Sequence, residues 1–311
     1  MFETGAILDD KWVILELIGK GAMGEVYRAH QSNLKRDVAI KVISSEVLTE
    51  LEDDPEEQAI TFGRFEREVQ TMARVRHTNI INIYDYVENG AIGADWEDKT
   101  AFIVMEYIPG NSLRFTMVEE GLDDVPEEYV NWLEKYFLPV LDGVEVLHNN
   151  GIVHRDLKPE NIFMDGEVPK IADFGLARSR HMKAVTTSIE MLGTLAYMSP
   201  EQSADFKNAG FLADIYALGK ILYEAVHGTL DEKTLPFTSV SLETTESMFL
   251  TEINKVIEKA TAVSPAERFQ TVPELRSTLL KSLSIYREEQ LQNLQGEVPV
   301  TGSPIKKDGY G

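Results

Sequence analysis

Residues 151–164 read GIVHRDLKPENIFM and place five ionisable side chains and one amide within eight positions, between two apolar flanks. The polar residues are His154, Arg155, Asp156, Lys158, Glu160 and Asn161. Charged groups are unfavourable in a protein interior unless they are paired, so such a stretch between strand-like flanks needs an explanation. It is either an ordinary solvated turn or a loop whose side chains converge on a charged ligand.

The overall composition excludes several classes of protein. The chain has 311 residues, of which 43% are apolar, and this length predicts about two domains. Its net charge of −22 argues against binding to nucleic acid, which relies on basic patches, and against docking on anionic lipid. The absence of cysteine excludes a disulfide framework and thiol catalysis. Because neither a secretory signal nor a run of about 18 apolar residues is present, we expect a cytoplasmic protein without membrane contact.

Hydrophobic periodicity in the first third of the chain predicts a small sheet with one helix. Apolar residues alternate along 11–43, 81–88 and 101–108, as expected for an antiparallel meander. Residues 62–76 have helical spacing instead. The acidic run 46–58 is expected to be a solvated insertion.

The rest of the chain is predicted to be mainly helical. Helical patterns occupy residues 127–151, 211–227, 249–261 and 272–295. The last 16 residues are polar and rich in Gly and Pro, which is typical of a disordered tail. We therefore divide the chain into an N-terminal lobe (1–108), a helical lobe (109–284), and a helix end with a tail (285–311), in an α+β fold.

The first candidate site is the run IGKGAMGEV at residues 18–26. Gly19, Gly21 and Gly24 would allow backbone amides to approach phosphate groups without interference from a Cβ atom. The run joins two predicted strands and does not open a helix, which argues against a dinucleotide-binding turn. A plain glycine hairpin is the alternative.

The second candidate is Lys41, which lies on the otherwise apolar strand VAIKV. A lysine in that setting needs a partner. Glu68 lies one helical turn before Met72 on the same helix face, so we expect Glu68 to pair with Lys41. Glu66 competes but lies on another face, and a surface lysine packed along the sheet is the alternative.

The third candidate joins the opening loop to the run KIADFGLA, in which Asp173 follows an apolar strand. Asp173 and Asn161 supply the oxygen ligands that magnesium prefers. Asp156 is suited to accept a proton from an incoming hydroxyl, and Lys158 is close enough in sequence to stabilise a phosphoryl group in transfer.

Taken together, these stretches resemble the protein kinases. The chain carries G-x-G-x-x-G-x-V at 19–26, V-A-I-K at 38–41, H-R-D-L-K-P-E-N at 154–161, D-F-G at 173–175 and S-P-E at 199–201, in the order of that family. Lys158 and the run GTLAYMSPE are similar to the serine/threonine class, and S-P-E in place of A-P-E is most like the bacterial members. The resemblance implies a two-lobed kinase fold, with a small N-terminal sheet plus one helix and a larger, mainly helical C-terminal lobe.

The resemblance also implies an activity and its cofactors. The protein is expected to be a non-specific serine/threonine kinase that transfers the γ-phosphate of ATP to hydroxyls of protein substrates, with Mg²⁺. In such an enzyme the Gly19–Gly24 loop covers the phosphates, and Lys41, held by Glu68, contacts two of them. Asp156 deprotonates the acceptor.

Further roles in the phosphate site and the adenine site are implied in the same way. Lys158 supports the γ-phosphate, Asn161 and Asp173 hold magnesium, and Thr194 bridges Asp156 and Lys158. The implied adenine pocket consists of Ile18, Val26 and Ala39 above, Phe163 below, Met105 as gatekeeper, and Glu106 and Ile108 as hinge residues. Ordinary core packing is the alternative for the apolar ones.

Other motif residues are expected to be structural. Glu201 should pair with Arg268, and Asp214 should anchor the backbone of the opening loop. His154 is expected to pack with Phe174, Met72 and Ile83 between the lobes, and a role as catalytic base is the less favoured alternative.

Regulation is suggested by Arg155, which in this family usually pairs with a phosphorylated activation segment. That segment contains Thr186, Thr187 and Ser188 as acceptors, and a phosphate there could order it. Autophosphorylation in trans would require a homodimer. Glu160 could contact a substrate arginine, but this stays open.

Two other classes were weighed against the kinase hypothesis. A pseudokinase would be expected to lack Lys41, Asp156 or Asp173, and all three are present. A small-molecule phosphotransferase of related fold would be expected to lack the glycine-rich loop, the S-P-E motif and Arg268, which are also present.

Overall fold

The structure, a computed structural model, describes most of the two predicted lobes. The described residues are 2–21, 24–43, 55–87, 101–119, 121–122, 126–173, 195–205, 209–230, 237–242 and 247–296.

Within these residues, six strands form one antiparallel sheet in the order β1-β2-β3-β4-β6-β5. The strands are β1 (Ile7–Leu8), β2 (Trp12–Gly21), β3 (Gly24–Gln31), β4 (Arg36–Ile43), β5 (Ile83–Val87) and β6 (Ala101–Glu106). The strands predicted from alternation are therefore confirmed.

Both faces of this sheet are covered by apolar residues. Successive side chains of a strand point to opposite faces. Trp12, Ile40 and Phe102 belong to a small core on one face, whereas Ala39 packs into the core shared with the helical lobe. Lys41 follows Ala39 by two residues, so it lies on the face that looks toward the helical lobe.

The helix of the N-terminal lobe is longer at its start than predicted. Helix α1 spans Pro55–Met72, whereas the helical spacing had indicated residues 62–76. The last four residues of the acidic run therefore belong to the helix and not to an insertion. Proline is favoured at a first helical position, and acidic residues are favoured in the first turn by the helix dipole.

The helical lobe is built around one buried helix. Its helices are α2 (Pro126–Trp132), α3 (Leu138–Asn149), α4 (Pro200–Ala204), α5 (Phe211–His227), α6 (Met248–Ala260) and α7 (Val272–Gly296). Every residue of α5 from Ala213 to Val226 is buried, as expected for a helix that is packed on all sides. No helix of the described residues is both long enough and apolar enough to cross a membrane.

The helix predicted at 127–151 is interrupted by one wide turn. Residues Leu133–Phe137 are π-helical and connect α2 to α3. Pro139 stands in the first turn of α3, where it has no N–H to donate, and the chain widens just before it.

The opening loop lies where the lobes meet. A two-stranded sheet, β7 (Ile162–Asp165) with β8 (Val168–Ile171), follows it. The Ile81 N–H donates to Ile171 O at 3.0 Å, and the Met164 N–H donates to Asn111 O at 2.8 Å. These bonds fasten the β7–β8 hairpin to the segments on either side of the N-terminal sheet, and so fix the loop beside the cleft between the lobes.

Candidate active site

A cleft between the two lobes contains the predicted adenine pocket. With its open mouth it has a volume of about 570 Å³, within the range of about 300–1,000 Å³ typical of small-molecule sites. Seven of its lining residues were predicted: Ile18, Val26, Ala39, Met105, Glu106, Ile108 and Phe163. Gly19 and Asp173, predicted for the phosphates and the metal, also line it.

Three lining residues were missed by the sequence reasoning: Ile81, Tyr107 and Ala172. Tyr107 lies between two predicted hinge residues, and Ala172 directly precedes Asp173, so proximity to the motifs could have indicated both. Ile81 has no such signal, because it reaches the cleft through its backbone bond to the β7–β8 hairpin.

The glycines of the 18–26 run have different reasons to be glycine. Gly24 has a φ of 132°, and a Cβ there would lie 2.0 Å from Val42 O, so the fold itself requires glycine. Gly19 has room in the protein, since a Cβ there would meet nothing closer than Val26 Cβ at 3.7 Å. Its lack of a side chain is therefore explained better by a ligand that approaches the backbone. Gly21 closes strand β2.

The end of β6 has the geometry of a hinge. The Lys170 Nζ donates to Glu106 Oε1 at 2.9 Å, and the Asn82 Nδ2 donates to Glu106 Oε2 at 2.8 Å. Burial alone would raise the pKa of Glu106, but these donors lower it below its ordinary value. The Glu106 N–H already donates to Asn82 O at 2.8 Å. In the described residues no hydrogen bond engages the backbone of Ile108, so its N–H and C=O remain available to a ligand.

The predicted pair between Lys41 and Glu68 is wrong for this structure. The Lys41 Nζ donates instead to Asp173 Oδ1 at 2.7 Å, and Glu68 Oε1 lies 3.8 Å from a guanidinium nitrogen of Arg155. Asp173 has a positive φ of 55° at the end of β8, and this turn brings its carboxylate to the lysine. Because the Asp173 side chain is less exposed than that of Glu68, its attraction for the ammonium is screened less by solvent.

The catalytic loop brings Asp156 and Asn161 together as predicted. The Asn161 Nδ2 donates to Asp156 Oδ2 at 2.6 Å and to Asp156 O at 2.8 Å. The Asn161 N–H donates to Lys158 O at 3.0 Å, which shapes the loop around the half-buried Lys158. Asp156 is thus held in one orientation by a neutral amide.

The same contacts favour a magnesium site at Asn161 and Asp173. The Asn161 amide nitrogen is used by Asp156, so its Oδ1 points the other way. The Ala172 N–H donates to Asn161 O at 2.9 Å, which brings the next residue, Asp173, close to Asn161. One carboxylate and one amide oxygen beside a phosphate-sized cleft fit the ligands that Mg²⁺ takes together with substrate phosphates.

His154 is structural, because both of its ring nitrogens are engaged. Its Nε2 lies 2.9 Å from Ala172 O, and its Nδ1 accepts from the Asp156 N–H at 3.2 Å. Complete burial lowers the pKa of His154, against the opposing charges of Asp214 and Asp156. A neutral ring that spans the loop and the strand end does not act as a base.

Asp214 anchors the loop backbone, as predicted. Its carboxylate accepts from the His154 and Arg155 N–H groups, each at 2.8 Å, and lies 2.9 Å from His148 Nε2. Burial alone would raise the pKa of Asp214, but the bonds to His148 and His154 lower it. These bonds stabilise the positive φ of 64° at Arg155, a conformation unfavourable by about 1–2 kcal/mol for a residue with a side chain.

Glu201 and Arg268 form the predicted buried ion pair. Two guanidinium nitrogens of Arg268 donate to the two carboxylate oxygens of Glu201 at 2.6 and 2.8 Å. Burial alone would raise the pKa of Glu201, but Arg268 lowers it. The pair joins the start of α4 to the loop after α6.

Several predicted residues lie outside the described part of the chain. These are Thr194, the acceptors Thr186, Thr187 and Ser188, and Phe174.

Comparison with known proteins gives a consistent result. The protein kinase domain model matches residues 12–291. The serine/threonine-protein kinase PrkC of Bacillus subtilis is 30% identical over 98% of this chain and 46% of its own length. PknL of Mycobacterium tuberculosis is 36% identical over 72% of this chain and 51% of its own. The chain therefore spans about half the length of these curated relatives.

Solved structures share the fold. The kinase domain of Mycobacterium tuberculosis PknI superposes with a TM-score of 0.62 at 22% identity, over 91% of this chain and 99% of that one. The family model covers both lobes and every motif in the cleft, and the chain belongs to the protein kinase family.

Proposed function

We propose that this chain is an ATP- and Mg²⁺-dependent serine/threonine kinase that phosphorylates proteins. The observation that carries the proposal is the convergence of Asp156, Asn161 and Asp173 at the phosphate end of the cleft. Lys41 stands opposite them, 2.7 Å from Asp173.

The chemistry follows from these positions. In the reaction, the acceptor hydroxyl oxygen bonds to the γ-phosphorus while the bond to the β-phosphate oxygen breaks, and Asp156 takes the hydroxyl proton. Asn161 keeps the Asp156 carboxylate aligned. Lys41 and Lys158 neutralise charge on the phosphates. Magnesium, held by Asn161 and Asp173, would neutralise the developing charge between the β- and γ-phosphates.

The proposal is tested by phosphate transfer and nucleotide binding measured on the same samples. Wild type should phosphorylate a basic protein substrate with Mg-ATP, whereas Lys41→Met and Asp156→Asn should lose at least about 100-fold in rate. Lys255→Met, at an exposed lysine of α6, is the matched control. Equal rates for wild type and Asp156→Asn would refute the mechanism. Retained thermal stabilisation by Mg-ATP in Asp156→Asn would show that binding and chemistry are separable.

We further propose control by autophosphorylation of Thr186, Thr187 or Ser188 in trans, within a transient homodimer. Arg155 is already in ionic contact with Glu68. A phosphate carries a charge of about −1.5 to −2 and would compete with Glu68 for Arg155. Release of Glu68 would let it pair with Lys41 and complete the arrangement implied by the family.

This regulatory proposal has its own measurement. Phosphosites are mapped by mass spectrometry after incubation with Mg-ATP, at two protein concentrations. Labelling per molecule should rise with concentration and should fall to background when all three acceptors are replaced by alanine. Labelling that is independent of concentration would contradict the trans mechanism.

The proposed place of action is the cytoplasm, where ATP is available. The lack of cysteine agrees with a reducing compartment but does not require one.

A further inference from the structure

A second charged cluster lies beside the catalytic loop and is not used by the mechanism above. Arg114, in the 3₁₀ turn Leu113–Thr116, donates to three different groups. Its Nε bonds Glu160 Oε1 at 2.8 Å, one terminal nitrogen bonds Glu224 Oε1 at 2.7 Å, and the other bonds the Tyr197 hydroxyl at 2.6 Å. Every nitrogen of the guanidinium is therefore engaged inside the protein.

The cluster lies next to the place where an acceptor hydroxyl must arrive. Glu160 follows Asp156 by four residues in the same loop, and Tyr197 lines the same small cavity as Asp156. A peptide whose hydroxyl reaches Asp156 therefore has a neighbouring side chain within range of this cluster.

The charges of the cluster are not balanced. Two carboxylates face one guanidinium, which leaves a net charge of one negative. Glu224 is only 2% exposed, whereas Glu160 is 46% exposed, so the cluster has a buried end and a solvent end. Burial alone would lower the pKa of Arg114, but Tyr197, Glu224 and Glu160 raise it, and the arginine stays charged.

We propose that Arg114 is a specificity-determining residue that fills an acidic substrate subsite from within the chain. Its guanidinium takes the place that an arginine of the substrate would take between Glu160 and Glu224. The enzyme therefore does not select basic residues next to the acceptor, and loss of Arg114 creates that selectivity. This inference rests on the protein-substrate activity proposed above.

The competing explanation is that Arg114 is a structural tie between the 3₁₀ turn, α5 and the segment at Tyr197. The two explanations differ in one measurable quantity, the ratio of kcat/KM for an arginine-containing peptide to kcat/KM for the same peptide with glutamine. A structural tie affects both peptides alike, whereas a filled subsite changes the ratio.

The experiment scans arginine and glutamine through each position that flanks a fixed threonine acceptor. Wild type should give ratios near one at every position. Arg114→Met should raise the ratio about tenfold at one or two positions, which corresponds to about 1.4 kcal/mol. Adding Glu160→Gln to Arg114→Met should bring the ratio most of the way back.

Glu160→Gln alone keeps the buried contacts of Arg114 with Glu224 and Tyr197, and it decides the matter even if Arg114→Met does not fold. The proposal expects its ratios to equal those of wild type. A wild-type preference for arginine that Glu160→Gln abolishes would overturn the proposal, as would an unchanged ratio in a folded Arg114→Met. Wild type that phosphorylates no peptide would refute the proposed function itself, whereas transfer with unchanged ratios refutes only this inference.

Discussion

Two arginine–glutamate pairs flank the catalytic loop, and they differ in almost every physical respect. Arg268 is fully buried and bonds both carboxylate oxygens of Glu201. It also donates to the carbonyls of Ala262, Leu212 and Val263. Arg155 meets Glu68 through one contact of 3.8 Å, with side chains 24% and 45% exposed.

The difference teaches that residue type alone does not make an ion pair permanent. Removing one partner of a buried, multiply bonded pair leaves a desolvated charge, whereas an exposed pair is screened and contributes little. The Glu201–Arg268 pair is therefore a fixed joint of the helical lobe. The Arg155–Glu68 pair is a contact that another anion can replace.

The largest effect is expected from breaking the fixed joint. Arg268→Met should destabilise the fold by about 3–5 kcal/mol, because Glu201 loses its partner and the carbonyls lose their donors. Denaturant unfolding measures this. Arg287→Met, which removes an exposed arginine paired with Glu134, is the matched control and should change stability by less than about 1 kcal/mol. Equal losses in the two variants would show that burial does not decide the strength of these pairs.

The joint should also respond to acid. The folded pKa of Glu201 lies below its ordinary value of 4.5, so its contribution is fully present above pH 4.5 and is lost as the pH falls through the folded pKa. The stability difference between wild type and Arg268→Met should therefore shrink below about pH 4. A difference that stays constant down to pH 3 would contradict this assignment.

A third cation extends the comparison to a buried group without a carboxylate partner. Lys220 on α5 is fully buried, and among the described residues its Nζ has no hydrogen-bond partner. It lies over the Tyr216 ring, 5.5 Å from the centroid. Burial lowers the pKa of Lys220 from 10.5 to about 8, so at neutral pH the fold must hold a charged amine that it does not pair.

Lys220→Met should therefore stabilise the protein at pH 7, by up to about 3 kcal/mol, since one pKa unit corresponds to about 1.4 kcal/mol. Wild-type stability should rise with pH between about 8 and 10.5, because the unfolded chain binds a proton there that the folded chain has lost. The variant should lack this contribution. Lys255→Met, at an exposed lysine, is the control, and a destabilised Lys220→Met would show that the amine has a partner after all.

The sequence was informative where the geometry is local. Asp156 and Asn161 lie five residues apart in one loop, and strand alternation alone directs Ala39 and Lys41 to the same face. The early start of α1 also had a local signal, since Pro55 and the acidic residues after it mark a helix N-terminus. That signal was interpreted as an insertion.

The partners of the charged groups could not be predicted in the same way. Whether Lys41 meets Glu68 or Asp173 depends on where α1 lies relative to the end of β8, and no stretch of sequence encodes that distance. The cluster around Arg114 likewise brings together four segments that are far apart in the chain. Motifs predict which side chains carry charge, whereas packing of the lobes decides which charges meet.

The smallest effect on stability, and the sharpest test of the comparison, is expected at the exchangeable pair. Arg155→Gln should change the free energy of unfolding by no more than about 1 kcal/mol, and added salt should reduce that change. Its consequence should be regulatory: prior incubation with Mg-ATP should activate wild type but not Arg155→Gln, with Arg155→Lys intermediate because one ammonium cannot reproduce the guanidinium fork. Phosphatase-treated samples provide the unactivated reference. If Arg155→Gln is destabilised as much as Arg268→Met, the contact with Glu68 is a second fixed joint, and phosphate cannot act by displacing it.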